Sequence, residues 1–493
     1  MPEDPTKSQS NPEHVAVILA PGIFASHLVD PRGGLAWPAN RTPAMLSHIV
    51  DSPVQQRKAF AEANAIRFLA RGPSSSLPTD PPPDYGADSG WQDVLVDKYG
   101  EFLQACTNAN RHGATDLPFE PHVFALGYNF TRSNSTTAWR HIAPQTLHIL
   151  QKVRQKLNIT DAAKRLRFIY VTHSMGALAV RFALKTNPAL QKDCICVIHA
   201  AAPNAGAPET LMRFIRGNPK DRLPLPLIFG DQGWKCLTSA SVIGAGFELL
   251  PFPMLRQKGE FRGFDVVTPA DPDFHFAKII NTQFSATKVT VKLTTKEAGA
   301  PERNEPDVAI PDDRPFHSSR YQMARKEKDA ITSEILGAGS AARGHLDAAR
   351  AFHVQLGDYL FDRTGAVVLS GVETVQSISM SFSANQLAKV TVTQSHEGDG
   401  TVPVSSQKYL IRDPLTGERG VHFTPVVTRS GVEHVNALKK ANPEDTIFAE
   451  IFQLMSRLYR LAPQEDVVKA PVTVPDSTTQ TILAAFHGAG SNS

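Results

Sequence analysis

The stretch Ile169-Tyr-Val-Thr-His-Ser-Met-Gly-Ala-Leu178 decides how this chain is read. A β-branched and aromatic run, which favours a strand, breaks at a small polar residue, and a helix-forming run from Ala177 to Leu184 follows Gly176. A serine at such a junction sits on a sharp strand-to-helix turn that strains its backbone and pushes its Oγ outward. Residues two positions away on either side must then be small. Gly176 meets that need after Ser174, whereas Thr172 stands where glycine is usual. The competing reading is an ordinary strand–helix junction with an incidental serine.

A nucleophilic serine needs a base, an acid that orients the base, and donors for the developing oxyanion. Candidates occur in the order donor loop, serine, acid, histidine. Val15 to Leu19 is a short apolar strand followed directly by Ala20-Pro-Gly-Ile-Phe-Ala-Ser26. Its glycine allows the backbone to turn with N–H groups facing a cavity. The expected donors are the N–H of Met175 and that of Phe24, with Ile23 as the rival. Lys389 to Thr393 alternates like a strand and runs into Gln394-Ser-His-Glu-Gly-Asp-Gly-Thr-Val-Pro403, which puts Asp399 on a tight loop between two glycines. Glu397 is the rival acid, and His396 reads as a surface or supporting residue. Another strand-like run, Val421 to Thr428, precedes Gly431-Val-Glu-His-Val435, so His434 can take the serine proton while Asp399 holds its other nitrogen. Of 17 histidines most must be structural or solvated; His173 is expected to point away from the serine, and His199 to be packed.

Together the donor loop, Thr-His-Ser-Met-Gly (172–176), Gly-Asp-Gly-Thr-Val-Pro (398–403) and Glu-His-Val-Asn-Ala (433–437) resemble the lecithin:cholesterol acyltransferase-like branch of the α/β-hydrolases. The chain is also similar to bacterial lipases related to GPI inositol-deacylase. Segments 90–103, 127–134, 199–209 and 244–251 fit the bacterial members. The resemblance implies an α/β-hydrolase fold, a mostly parallel sheet with helices on both faces, carrying a large cap or lid insertion. It implies Ser174 as nucleophile, Asp399 as acid, His434 as base, and Phe24 and Met175 as oxyanion donors. Some relatives are type VI secretion effectors that hydrolyse phospholipids, a role that implies an immunity protein and a delivery partner. Three departures from the family stand out: Thr172 at the elbow, Ala177 where a second glycine is common, and Tyr128-Asn-Phe130 in place of Tyr-Asp-Trp.

The whole-chain figures fit such an enzyme. With 493 residues there is room for one large α/β domain plus an insertion, and 41% hydrophobic with 20% charged residues is ordinary globular composition. A formal net charge of +3 argues against a dedicated nucleic-acid binder. The cysteines, Cys106, Cys194, Cys196 and Cys236, lack zinc spacing. No cofactor and no metal is expected; the acidic stretch 306–313 reads as solvated linker rather than a calcium site. The N-terminus has neither the basic start nor the apolar core of a signal peptide, and no run of about 18 apolar residues suggests a membrane span. The expectation is a chain made in the cytoplasm, with export by a route that reads no such signal.

The expected organisation is a tail over 1–13, core over 14–208, cap insertion over 209–388, core again over 389–462 and a Pro/Thr/Ser/Gly-rich tail over 463–493. Within the insertion, Val242 to Leu255 combines bulky apolar residues with glycines and prolines. Phe247, Leu249, Leu250 and Phe252 are expected to line an acyl-chain groove, and charged helices over 320–361 to form a mobile cover; the rival reading makes Val242 to Leu255 plain core. Three functions compete: a lipase or esterase acting on lipid or membrane-surface substrate, an acyltransferase with the same triad, and a non-enzymatic binding module supported only by Thr172.

Overall fold

The computed structural model describes residues 13–29, 35–37, 64–65, 85–109, 117–161, 164–217, 233–251, 265–266, 279, 289–297, 301–304, 308–310, 341–383, 386–411 and 425–463. Phe252, residues 311–340 and nearly all of both expected tails lie outside them. The longer strands are β1 (Glu13–Ala20), β2 (Phe119–Ala125), β3 (Arg167–His173), β4 (Cys194–Ala200), β5 (Val289–Glu297), β6 (Thr364–Ser370), β7 (Thr374–Ser383), β8 (Gln386–Ser395) and β9 (Val426–Ser430). The main helices are α1 (Val96–Asn108), α2 (Ala143–Lys156), α3 (Gly176–Thr186), α4 (Pro208–Arg216), α5 (Ala341–Leu356) and α6 (Ile447–Leu461).

The central sheet runs β9-β6-β4-β3-β1-β2, and every neighbouring pair is parallel. A parallel sheet is covered on both faces, so its inner strands can be apolar throughout. Accordingly β4, Cys-Ile-Cys-Val-Ile-His-Ala, is buried along its whole length. The strand period of two then divides the core. Ala16, Ile18, Phe168 and Tyr170 face α2 and α3, while Val15, Val17, Ile169 and Val171 face α1 and α6. The strands expected near 15–20, 122–126, 167–172 and 194–200 are β1 to β4, and the fold is the α/β-hydrolase fold.

The return from the insertion differs from the expected boundary. The sheet resumes at β6, which pairs with β4 on one side and β9 on the other, well before residue 389. The alternating run at 389–393 lies in β8, which belongs to a second sheet in which β7 and β8 form an antiparallel hairpin and β8 runs parallel to β5. Val375, Ile378 and Met380 of β7 and Leu387, Val390 and Val392 of β8 pack with Leu211, Phe214 and Ile215 of α4 in a separate core. A half-buried strand of this pattern suits either sheet, so periodicity alone could not assign it.

The expected cover is also different over its described part. Helix α5 is packed on both sides: Phe352 stacks on Phe182 of α3 with ring centroids 5.4 Å apart, and Leu346 and Ala349 enter the insertion core. Lys185 Nζ donates to the carbonyls of Gln355 and Leu356, and Arg181 Nε to that of Tyr359. Phe247 is fully buried, 5.5 Å from the ring of Phe214, and Leu250 joins the same cluster. Both are core of the insertion rather than walls of a groove. Leu249 instead packs in the cluster that holds Met175.

One buried carboxyl ties the insertion to the sheet domain. Glu248 Oε2 accepts from the backbone N–H of Asn134 (2.7 Å) and from its side-chain amide (2.6 Å). Burial pushes this carboxyl up to about 8 from an ordinary 4.5, against the two Asn134 hydrogen bonds that favour the charged form. Between those values the unfolded chain releases a proton that the folded chain keeps, so the contribution is whole below pH 4.5 and is lost as pH rises through 8. Glu248→Gln should therefore gain on the parent protein by about 2–4 kcal/mol between pH 5 and pH 8 in urea unfolding; a pH-independent difference contradicts this. Phe247→Ala should cost about 3–5 kcal/mol of stability and leave the ratio of long-chain to short-chain ester turnover unchanged.

Candidate active site

Ser174 follows the last residue of β3 and precedes α3, with φ of +53°, a left-handed conformation that a non-glycine residue adopts only when its surroundings enforce it. Its N–H donates to the carbonyl of Ala200 at the end of the neighbouring β4 (2.9 Å). Gly176 is required by contact: a Cβ there would lie 2.5 Å from the carbonyl oxygen of Pro21 and 2.6 Å from that of Ala20. Gly22 is also close to the elbow, though less tightly, since a Cβ on it would stand 3.0 Å from Ser174 Cβ. The donor loop and the elbow are thus packed backbone against backbone.

The structure brings Ser174, His434 and Asp399 together. His434 Nε2 is 2.7 Å from Ser174 Oγ, and His434 Nδ1 is 2.8 Å from Asp399 Oδ2. A carboxylate accepts, so Nδ1 carries the proton and Nε2 is left to accept from the serine hydroxyl. Asp399 is held by more than the imidazole: Oδ1 accepts from the N–H groups of Thr401 (3.0 Å) and Val402 (2.7 Å). Its own carbonyl accepts from the N–H of His434 (2.8 Å). Asp399 is 1% exposed, Ser174 5% and His434 7%, so these hydrogen bonds are made largely out of water.

Asp399 reaches the site although its nearest upstream strand lies in the other sheet. The β7–β8 hairpin is an excursion closed at its base: Gly371 N–H donates to the carbonyl of His396 and Val372 N–H to that of Gly398. Thr374 Oγ1 accepts from the N–H of Gly400 (2.7 Å). The acid loop therefore continues from the C-terminal end of β6, where the open edge of a parallel sheet places ligands and reacting groups. Gly431 turns the chain after β9 at φ of +75°, its N–H on the carbonyl of Ser370, and delivers His434 to the same edge. Glu397, the rival acid, is exposed, as is His396.

Met175 is fully buried and caps α3 at its N-terminus, where backbone N–H groups point out of the helix. Phe24 has φ of +63°; its carbonyl accepts from Trp37 Nε1 (2.7 Å), and its ring meets Phe130 edge-on at 5.0 Å. Thus Phe130, one of the three departures, packs directly against the expected oxyanion residue. Tyr128 donates its hydroxyl to the carbonyl of Pro21 (2.6 Å) and steadies the same loop. Thr172 is accommodated because its Oγ1 lies 2.7 Å from Nδ1 of His199, its partner on β4.

Two supporting groups escaped the sequence reading. Gln407 Oε1 accepts from the N–H of Leu369, and its Nε2 donates to the carbonyls of Leu369 and Val402, pinning the acid loop to the end of β6. His173 packs its ring 5.0 Å from that of His434, with its Nε2 2.9 Å from the carbonyl of His434 and its Nδ1 2.9 Å from Tyr99 Oη. No motif in Val404-Ser-Ser-Gln407 or around Tyr99 signals either role. Among the described residues no cluster of His, Cys, Asp or Glu could hold a metal ion, and no helix is long and apolar enough to cross a membrane.

The lecithin:cholesterol acyltransferase family model matches residues 122–298. The chain is similar to that family. The matched segment contains Ser174 but neither Asp399 nor His434, and it supports a lipid-ester hydrolase or acyltransferase. A solved structure, a Tle4–Tli4 complex, superposes with a TM-score of 0.56 at 15% identity, covering 91% of this chain and 99% of that one, and shows the shared fold. Phospholipase PlaB from Legionella pneumophila matches at 13% identity over 53% of this chain and 62% of its own, with a TM-score of 0.21. No curated protein matches.

Because two backbone carbonyls face Gly176, Gly176→Ala should lower stability by about 1–3 kcal/mol, read as the midpoint of denaturant unfolding; an unchanged midpoint contradicts that close packing.

Proposed function

We propose that the chain is a serine esterase acting on lipid acyl esters. The observation that carries this is the continuous hydrogen-bonded line from Ser174 Oγ through His434 to Asp399. His434 takes the serine proton as Oγ attacks the ester carbonyl, and the imidazolium that forms is stabilised by Asp399. The oxygen of the tetrahedral intermediate is received by the N–H groups of Met175 and Phe24, each worth about 3 kcal/mol of barrier. His434 then returns the proton to the departing alcohol, leaving an acyl group on Ser174. Water, activated by His434 in the same way, releases the fatty acid.

Acyl transfer to an alcohol is the second reading, favoured by the name of the family that residues 122–298 match. The triad serves both, since only the exclusion of water after acylation separates them. We further propose an effector role, and a protein partner that holds the enzyme inactive. The sequence resemblance motivates it, and the Tle4–Tli4 neighbour was solved as a complex.

Incubating phospholipid and acylglycerol mixtures with the parent protein should release free fatty acid detectable by mass spectrometry. Ser174→Ala should lower that release at least about a thousandfold with folding intact. Release unchanged by the substitution removes Ser174 from the mechanism, and acyl appearing mainly on an added sterol or glycerol acceptor makes the chain a transferase.

A further inference from the structure

Two buried side chains outside the triad, Tyr99 and His173, link two backbone groups in one hydrogen-bonded chain. The N–H of Gly22 is 3.1 Å from Tyr99 Oη, which is 2.9 Å from His173 Nδ1, and His173 Nε2 is 2.9 Å from the carbonyl oxygen of His434. Its two ends are backbone groups of fixed polarity, so the direction of every bond follows. The carbonyl of His434 can only accept, so the proton of His173 is on Nε2 and donates to it. Nδ1 is then a bare lone pair and must accept from the Tyr99 hydroxyl, whose oxygen accepts in turn from Gly22 N–H. A chain of hydroxyls alone could reverse; this one cannot. Tyr99 and His173 are buried, and desolvation pushes the imidazole down to about 3, so the neutral form with one proton is the one present.

The ends of the chain are two parts of the machinery that must keep a fixed separation. Gly22 is two residues before Phe24 in the donor loop, and the other end is the peptide of His434 itself. The middle member is fixed to the third part, because His173 is the residue immediately before Ser174 and ends β3. The near contact also explains Gly22 from a second side: a Cβ there would come within 3.1 Å of His173 Nδ1. Tyr99 reaches in from α1, a helix whose apolar face covers the sheet.

We propose that His173 and Tyr99 are positioning residues that set the spacing of the oxyanion loop and the His434 base about Ser174, through a hydrogen-bonded chain of one fixed direction. The inference rests on the serine-esterase reading. Removing the chain keeps the hydroxyl of Ser174 and the imidazole of His434 but takes one tether from each of the two backbones that carry the oxyanion donor and the base, leaving those from Tyr128, Trp37 and Asp399. Ground-state binding of substrate is untouched, so the loss falls on kcat.

The test uses the full chain, a short-chain p-nitrophenyl ester, and four variants whose folding is followed by thermal unfolding. His173→Leu should lower kcat about a hundredfold with KM within about twofold. His173→Gln places an amide N–H near the position of Nε2 and should recover about tenfold of that loss. Tyr99→Phe, which removes one oxygen from an otherwise unchanged packing, should lower kcat about tenfold. It decides the matter if both His173 variants fail to fold. Folded Tyr99→Phe or His173→Leu with the parent kcat overturns the proposal, and so do equal losses for Leu and Gln, which would be a packing effect. Ser174→Ala separates the two levels: if it retains turnover the esterase reading itself fails, whereas loss in Ser174→Ala beside full activity in Tyr99→Phe rejects only the positioning role.

Discussion

The backbone of Ser174 is held left-handed between two sets of contacts, and the site is organised around that constraint. On one side its N–H is tied to Ala200 of β4; on the other the carbonyls of Ala20 and Pro21 press against Gly176. Left-handed φ at a residue with a side chain is costly and persists only when the surroundings over-determine it. Here the over-determination comes from three adjacent parallel strands, β4, β3 and β1, ending at one edge. The elbow, the donor loop and the strand end at Ala200 therefore cannot be moved independently.

The same edge collects the remaining groups from distant sequence. Strand β6 ends beside β4, and the loop that closes under the β7–β8 hairpin brings Asp399 back to it as though the hairpin were absent. Gln407 fastens that loop to Leu369, and Gly431 turns His434 in from β9. The hairpin itself serves the other core, with α4 and β5, while Glu248 and helix α5 join that core to the sheet domain. The insertion is thus braced against the loop 129–134 and α3, both close to the donor loop. Glu248 holds Asn134, four residues along the chain from Phe130, whose ring meets that of Phe24.

Much of this was legible in the residues. The apolar runs of β1, β3 and β4 are continuous because both faces of a parallel sheet are covered, and Gly176, Gly398 and Gly400 mark turns that crowding or positive φ requires. The order of donor loop, serine, acid and histidine pointed to the residues that the fold brings together. Other features were not legible. The alternation of Lys389 to Thr393 is the same whether its apolar face meets the central sheet's helices or the insertion core. The bulky residues Phe247 and Leu250 look alike in a groove and in a core, and only the partners Phe214 and Ile215 distinguish them. Tyr99 and Gln407 act through contacts 74 and 38 residues away in sequence, with His173 and Leu369, and leave no local signature.

The most direct test of the central claim is covalent labelling of the folded protein with a fluorophosphonate, followed by peptide mass spectrometry. The account predicts a single adduct on the peptide carrying Ser174, and its loss in a folded His434→Ala variant, because the hydroxyl is an effective nucleophile only with its base in place. An adduct on another residue, or labelling of Ser174 at the same rate without His434, would contradict it.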